Sequence, residues 1–313
     1  MPHVGLSLMP ETQFLQASMP LIEAGDVEAL EWSFDTGWKN GVRDWLSNLI
    51  NVYSEAGRLT GHGVHFSLLS AEWTDRQQGW LDQFREEVTR HQYLHHTEHF
   101  GFMTAGDFHR SAPLPVPLTN STLKLGRERF SQLAEVAPCP LGIENLALAL
   151  SIDDALQQHE FLEKIVTPAN GFLLLDLHNI YCQLCNFNLS PAELLDNYPF
   201  HLVREIHVSG GSWAPTASSN SPIRRDTHDD DVPAEVGFHR LGRYRALFHR
   251  HDGIEKFRHH HALVDPAELA TILAALRIDG LVFRQFVKFC SLAKLRQDIF
   301  GIRFFLDEDM AHL

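Results

Sequence analysis

The chain has 313 residues, 44% hydrophobic and 21% charged, a globular composition long enough for one α/β barrel or two ordinary domains. A net charge of -14, from 26 Lys plus Arg against 40 Asp plus Glu, argues against a nucleic-acid partner, which needs clustered basic residues. No apolar run reaches the ~18 residues that span a bilayer, and no basic-then-apolar leader opens the chain, so a cytoplasmic protein without membrane attachment is expected.

Short apolar runs suited to strands fall at 4–8, 29–34, 59–68, 93–102, 141–146, 172–177, 203–208 and 280–283. Amphipathic patterns lie between them. Helices fit near 12–24, 75–91, 126–136 and 153–166. Val42, Trp45, Leu46, Leu49, Ile50 and Tyr53 share one helical face, and Gly57 is placed to stop that helix. Ser190-Pro191-Ala192-Glu193 is a capping box with proline at the first helical position, and Asp265-Pro266-Ala267-Glu268 repeats the logic before another helix.

Eight alternating β and α units in about 300 residues predict an α/β protein of the (β/α)8, TIM-barrel type. No glycine-rich phosphate fingerprint follows the first strand, which argues against a dinucleotide fold. One domain over 1–313 is expected. Between the seventh and eighth strands, residues 210–233 are rich in Gly, Ser, Pro and Asp and predict a long loop, part of a segment 210–240 that covers the barrel mouth. Residues 290–313 are expected to form a C-terminal tail.

Several of the apolar runs stop abruptly on metal-type side chains: Thr97-Glu98-His99, Gly142-Ile143-Glu144-Asn145, Leu175-Asp176-Leu177-His178-Asn179 and Arg204-Glu205-Ile206-His207. In polar surroundings Arg225-Asp226-Thr227-His228 adds a fifth group, and His62 ends the third strand. In such barrels the active site lies at the C-terminal strand ends, where these residues fall. The candidate ligands are His62, His99, Glu144, Asp176, Asn179, His207, Asp226 and His228. Imidazole and oxygen donors without thiolate suit iron, manganese or zinc. Eight donors exceed the ~3 that one catalytic zinc takes, and Glu144 and Asp176 are able to bridge, so two or three ions are expected. Glu205, two residues before His207 on the same strand face, is a candidate partner behind that ligand or an extra ligand.

Each ending has an ordinary structural use when taken singly. Glu144-Asn145 is able to cap a helix, Asp176 with Asn179 to form an Asx turn, and Asp226 to His228 to sit solvated in a polar loop. Their joint recurrence favours the metal reading. His65, His95, His96, His178 and His201 are assigned to packing or surface roles. Cys139, Cys182, Cys185 and Cys290 are too few for a disulfide framework, and the single Cys182-x-x-Cys185 lacks the second pair of a zinc ribbon.

In chain order, Gly61-His62-Gly63-Val64-His65-Phe66-Ser67-Leu68, Thr97-Glu98-His99-Phe100, Ile143-Glu144-Asn145, Leu174-Leu175-Asp176-Leu177-His178-Asn179, Glu205-Ile206-His207-Val208-Ser209-Gly210 and Asp226-Thr227-His228 with Val232 to Val236 after it form a recognisable set. The set resembles the multinuclear non-heme iron-dependent oxidative enzymes over roughly residues 4 to 240. The resemblance implies a barrel holding two or three iron ions (Fe(II)/Fe(III)) on the eight ligands named above, with O2 as co-substrate. It implies oxidation of a residue, often a cysteine or a C-terminal residue, of a ribosomally made precursor peptide. A separate protein that recognises the leader peptide is an expected partner. The chain departs from the family where the second strand usually ends in a Glu-Asn pair, since Glu31-Trp32-Ser33-Phe34-Asp35 stands there. Arg284, at the end of the eighth predicted strand, is a candidate for a substrate carboxylate or a structural ion pair. The rival readings are a zinc- or manganese-dependent isomerase or hydrolase barrel acting on a sugar or phosphoester, and a non-catalytic metal-binding scaffold.

Overall fold

The computed structural model describes residues 3–10, 12–38 and 41–208, and beyond them the short strands at 211–214, 245–246, 261–262 and 302–305. The chain begins with β1 (His3–Leu8), α1 (Thr12–Glu23), β2 (Ala29–Trp32), α2 (Asp44–Glu55), β3 (Leu59–Gly63), α3 (Asp75–Arg90) and β4 (His96–His99). A hairpin of β5 (Phe102–Ala105) and β6 (Phe108–Leu114) interrupts the alternation. It resumes with α4 (Asn120–Val136), β7 (Leu141–Glu144), α5 (Ile152–Val166), β8 (Phe172–Asp176), α6 (Leu177–Phe187), α7 (Pro191–Leu195) and β9 (Val203–Val208). Then come β10 (Gly211–Ala214), β11 (Arg245–Ala246), β12 (His261–Ala262) and β13 (Ile302–Phe305).

Strands β1, β2, β3, β4, β7, β8 and β9 are parallel neighbours in that order and curl into a TIM-like sheet. Strand β13 lies antiparallel between β9 and β1 and closes the ring. The closing strand therefore comes from 290–313, expected as a tail, and runs against the direction of an ideal (β/α)8 unit. The predicted eighth strand, 280–283, lies outside the described residues. So does most of the predicted mouth loop, although 211–214 within it is strand β10, paired with β11 and β12.

Burial on both faces explains why these strands read as nearly unbroken apolar runs. All five residues of Phe172-Leu173-Leu174-Leu175-Asp176 are buried, as are all four of Leu141-Gly142-Ile143-Glu144. A polar residue inside such a run needs a partner or a ligand, and this is what marks Asp176 and Glu144.

Local chemistry fixes the element ends. Gly57 takes φ +64° and stops α2 as its position predicts. Thr119 caps α4 through Thr122, so that helix starts at Asn120 instead of near 126. Strand β3 ends at Gly63, short of 68, because the N–H groups of Val64 and His65 donate to Asp35 Oδ2 at 3.0 and 2.7 Å and are lost to the ladder. No helix among the described residues is long and apolar enough to cross a membrane.

Candidate metal centre

Strand register assembles the site. His99 on β4 lies beside Glu144 on β7, and Asp176 on β8 lies beside His207 on β9. His62 comes from β3, where it pairs in register with Thr97. Consecutive parallel strands thus deliver one donor each to the same end of the sheet, and His62, Glu144, Asp176 and His207 are all buried.

Three donor atoms converge. His62 Nε2 and His99 Nε2 are 3.4 Å apart, and they lie 3.4 and 3.2 Å from Glu144 Oε2. Donors held ~2.0–2.1 Å from one ion stand about 3.0–3.4 Å apart in octahedral or tetrahedral geometry. The triad fits that spacing. Its outer hydrogen bonds fit as well, since His62 Nδ1 is 2.7 Å from Thr97 Oγ1 and His99 Nδ1 is 3.2 Å from the Gly63 carbonyl. A carbonyl only accepts, so the His99 hydrogen sits on Nδ1 and the Nε2 lone pair faces the cluster. Burial, helped by the neighbouring His207, pushes the His99 pKa down to about 4, which keeps the ring neutral and able to ligate.

A second group shares Glu144. His207 Nδ1 lies 3.8 Å from Asp176 Oδ2 and 4.0 Å from Glu144 Oε1. Donor atoms of Glu144, Asp176 and His207 lie within 4.8 Å of one another, as do those of His62, His99 and Glu144. Glu144 therefore has one oxygen toward each group, the arrangement a bridging carboxylate requires.

Asn179 sits in the first turn of α6. Its Nδ2 donates to Glu144 Oε1 at 3.1 Å and to the Asn145 carbonyl at 2.7 Å, while its buried Oδ1 accepts from no described group. An unused acceptor beside two carboxylates suits a cation. Asp176 has two roles, with Oδ1 accepting from the Asn179 N–H at 2.8 Å as the N-cap of α6 and Oδ2 facing His207. The Asx-turn and ligand readings of this residue are compatible. Asn145 is a clamp, since its Oδ1 accepts from Asp176 N at 2.6 Å and its Nδ2 donates to Asp176 O at 3.2 Å, fixing β7 to β8.

Behind His207 lies a layer that the sequence reading only partly anticipates. Glu205 Oε1 is 2.9 Å from His207 Nε2, and Glu31, Glu205 and His207 also bring donor atoms within 4.8 Å of one another, so both the partner and the extra-ligand expectations stay open for Glu205. Glu31 on β2 brings Oε2 within 2.8 Å of the same nitrogen. His95, assigned from sequence to a packing or surface role, instead places Nε2 2.8 Å from Glu205 Oε2 inside the barrel. The sequence signal for Glu31 is a carboxylate within the otherwise apolar Ala29-Leu30-Glu31-Trp32. Of the other histidines set aside, His96 packs against Phe34, Phe84 and Tyr93, His178 meets the Cys182 thiol at 3.4 Å, and His201 is exposed. Burial pushes the Cys182 thiol pKa up, which suits a packed residue better than a reactive one. Asp226, His228 and Arg284 lie outside the described residues.

A curled parallel sheet brings buried imidazoles and carboxylates together at its strand ends, a donor set that could hold metal ions. The chain matches, over residues 27–250, the family model described as RiPP precursor modification enzyme MbnB/TglH/ChrH, and it belongs to that family. It is similar to a UPF0276 protein of Caulobacter vibrioides, 27% identical over 259 residues, covering 80% of this chain and 87% of the relative. A UPF0276 protein of Acaryochloris marina is 30% identical over 153 residues, 49% of this chain and 55% of that relative's length. One from Paraburkholderia phytofirmans is 30% identical over 176 residues, 56% of each chain.

Proposed function

We propose that this chain is a multinuclear iron, O2-dependent oxidase that modifies a residue of a ribosomally made precursor peptide. The observation that carries the reading is the convergence of His62 Nε2, His99 Nε2 and Glu144 Oε2, with Glu144 shared toward Asp176 and His207. Family membership supports a precursor peptide as substrate. The ligands assigned are His62, His99, Glu144, Asp176, Asn179 and His207, with Asp226 and His228 completing the set. Two or three iron ions so held would supply one-electron oxidation chemistry with O2.

The protein's own contribution is preorganisation. Thr97 and the Gly63 carbonyl hold the two imidazoles, so little reorganisation is needed when a ligand or substrate binds. Asn145 and the α6 cap lock the Asp176 backbone against β7. The buried strand ends exclude water, which protects a reactive site from side reactions. The modified position is a cysteine or C-terminal residue of the peptide, a separate protein presents the leader, and Arg284 is assigned to a substrate carboxylate. The protein works in the cytoplasm, where such peptides are made.

The test is to load the protein anaerobically with Fe(II), add a candidate short precursor peptide that carries a cysteine or ends in an acidic residue, with any candidate leader-recognition protein, and admit O2. An O2-dependent mass change on the peptide, with two or three irons per chain and a Mössbauer signal of coupled iron, is expected. Stoichiometric zinc with no O2 uptake would overturn the reading in favour of a zinc hydrolase or isomerase.

A further inference from the structure

On the outer side of β3 and β4 a run of packed rings leads away from the barrel interior. Tyr93 and His96 have ring centres 4.3 Å apart, His96 and Phe84 4.7 Å, Phe84 and Trp80 5.1 Å, and Trp80 and Trp38 5.4 Å. Phe34 fills the middle, 5.6 Å from Trp38 and 6.3 Å from Tyr93. Such distances are ordinary for a packed core. What sets Tyr93, Trp80 and Trp38 apart is that each oxidisable ring gives its one polar hydrogen to a carboxylate. Tyr93 Oη donates to Glu87 Oε1 at 2.6 Å, Trp38 Nε1 to Glu87 Oε2 at 3.4 Å, and Trp80 Nε1 to Asp35 Oδ2 at 3.0 Å.

The inner ends of the run lie close to the site. His96 packs over Gly61, the residue before His62, where an added Cβ would meet His96 Nδ1. Asp35 Oδ2 also accepts from the N–H groups of Val64 and His65, which leave the end of β3. The outer end is Trp38. It is half-buried and lines a cavity of about 490 Å³ between α2 and α3, together with Glu86, Arg90 and His91.

The proton chemistry suits electron loss. Burial raises the Glu87 pKa, but hydrogen bonds from His91 and Tyr93 outweigh it and hold the group below its ordinary value, as a carboxylate. Burial, with Glu87 adding, pushes the Tyr93 pKa well up, so the phenol keeps its hydrogen until an electron leaves. A phenol that loses an electron becomes a strong acid. Its proton then passes to Glu87, leaving a neutral tyrosyl radical and a protonated carboxyl. An indole that loses an electron is a weaker acid and persists as a cation beside its carboxylate.

We propose that Tyr93, Trp80 and Trp38 form a relay that carries a one-electron oxidising equivalent from the metal side of β3 and β4 out to the cavity, sparing the inner ligands from oxidation. The oxidant is a metal centre oxidised by O2 with no peptide bound, and it gains one electron from the relay. As electrons move inward the Glu87 proton returns to Tyr93, and Trp38 ends one electron short. A soluble thiol restores that electron and loses its proton to water, and two thiyl radicals so formed pair as a disulfide. The identity of the oxidant rests on the iron reading above; the relay itself does not.

Flash photolysis tests the relay on the full chain without iron. A ruthenium polypyridyl complex, photo-oxidised with a cobalt(III) amine as quencher, takes an electron at the surface, and transient absorption with EPR separates tryptophanyl from tyrosyl radicals. Wild type should show a tryptophanyl signal that decays into a tyrosyl one, with a slower rise in D2O because a proton moves with the electron. The tyrosyl signal should be lost in Tyr93→Phe, which keeps the ring, and largely lost in Trp38→Phe. No tyrosyl signal in wild type, or one undiminished in either variant, would overturn the relay; should Tyr93→Phe not fold, Trp38→Phe and the D2O effect decide. A second arm exposes Fe(II)-loaded protein to O2 without peptide and maps oxidised residues by mass spectrometry. Oxidation at Trp38 that moves to inner residues in Trp38→Phe is expected, and inner residues oxidised equally in both proteins would overturn the protective role. If wild type takes up no iron, the iron reading and that role fall together, while the flash experiment still decides the relay.

Discussion

On β4 alternate residues turn to opposite sides of the sheet, and the two sides treat buried polar groups in opposite ways. Inward, Thr97 holds His62 and His99 is held by the Gly63 carbonyl. Outward, toward α3, His96 and Glu98 are buried, and neither His96 ring nitrogen has a hydrogen-bond partner among the described residues. His96 lies among the rings of Phe34, Phe84 and Tyr93, and both side chains lean over glycines of the neighbouring strand, Gly61 and Gly63. The difference teaches that burial alone does not make a ligand. Inside the barrel, donors converge with their lone pairs aimed at one another, which suits a cation. Outside, the same residue types are simply forced neutral. Burial, with His95 adding, pushes the His96 pKa down to about 3, and burial, with Asp35 adding, pushes that of Glu98 well up.

The largest effect should come from breaking the inner side. Glu144→Ala removes the carboxylate shared by both groups and should empty at least two metal positions in elemental analysis of the purified protein. Full retention of metal would refute the bridge. Next is the space that lets the outer residues sit where they do. An added Cβ at Gly63 collides with Glu98 Oε1, so Gly63→Ala should cost about 1–3 kcal/mol in urea unfolding. An unchanged midpoint would show that Glu98 has room to move.

Two smaller effects depend on pH, with opposite sign. The folded-state pKa of His96 lies below its unfolded value of 6.5, so its neutral burial costs nothing extra above pH 6.5 and stability is lost as pH falls toward about 3. Replacement by Leu should remove about 2 kcal/mol of the loss between pH 7 and 4.5, and an acid limb as steep as in wild type would contradict this. Glu98 has a raised folded-state pKa, so its stability contribution is present below its unfolded value near 4.5 and lost as pH rises through the raised value. Glu98→Gln should therefore be stabilising at pH 8 and change almost nothing below pH ~4, with metal content unchanged. A gain independent of pH would point to packing instead of ionisation.

Much of the inner side was legible in the sequence because apolar runs that end in His, Glu or Asp carry their own signal. Leu174-Leu175-Asp176 and Gly142-Ile143-Glu144 place strand, strand end and donor together. The layer behind the ligands was less legible. His95 meets Glu205 across 110 residues, and nothing local to either names the other. Helix α6 escaped notice because it begins on the residue after β8, with Asp176 serving as strand end, cap and donor at once. The hairpin β5–β6 was hidden because Phe100 and Phe102 extend the apolar run of β4, whereas Gly101 at φ +120° turns the chain between them. The closing strand β13 reads as β-rich in Ile302-Arg303-Phe304-Phe305 but lies past the last β/α unit the pattern supplies.

The central claim is that Glu144 is shared by two cation positions, one with His62 and His99 and the other with Asp176 and His207. Anomalous diffraction at the iron edge from crystals of anaerobically loaded protein tests it most directly. Two peaks flanking Glu144, one within each group, are expected. A single peak away from Glu144, or none, would contradict the account.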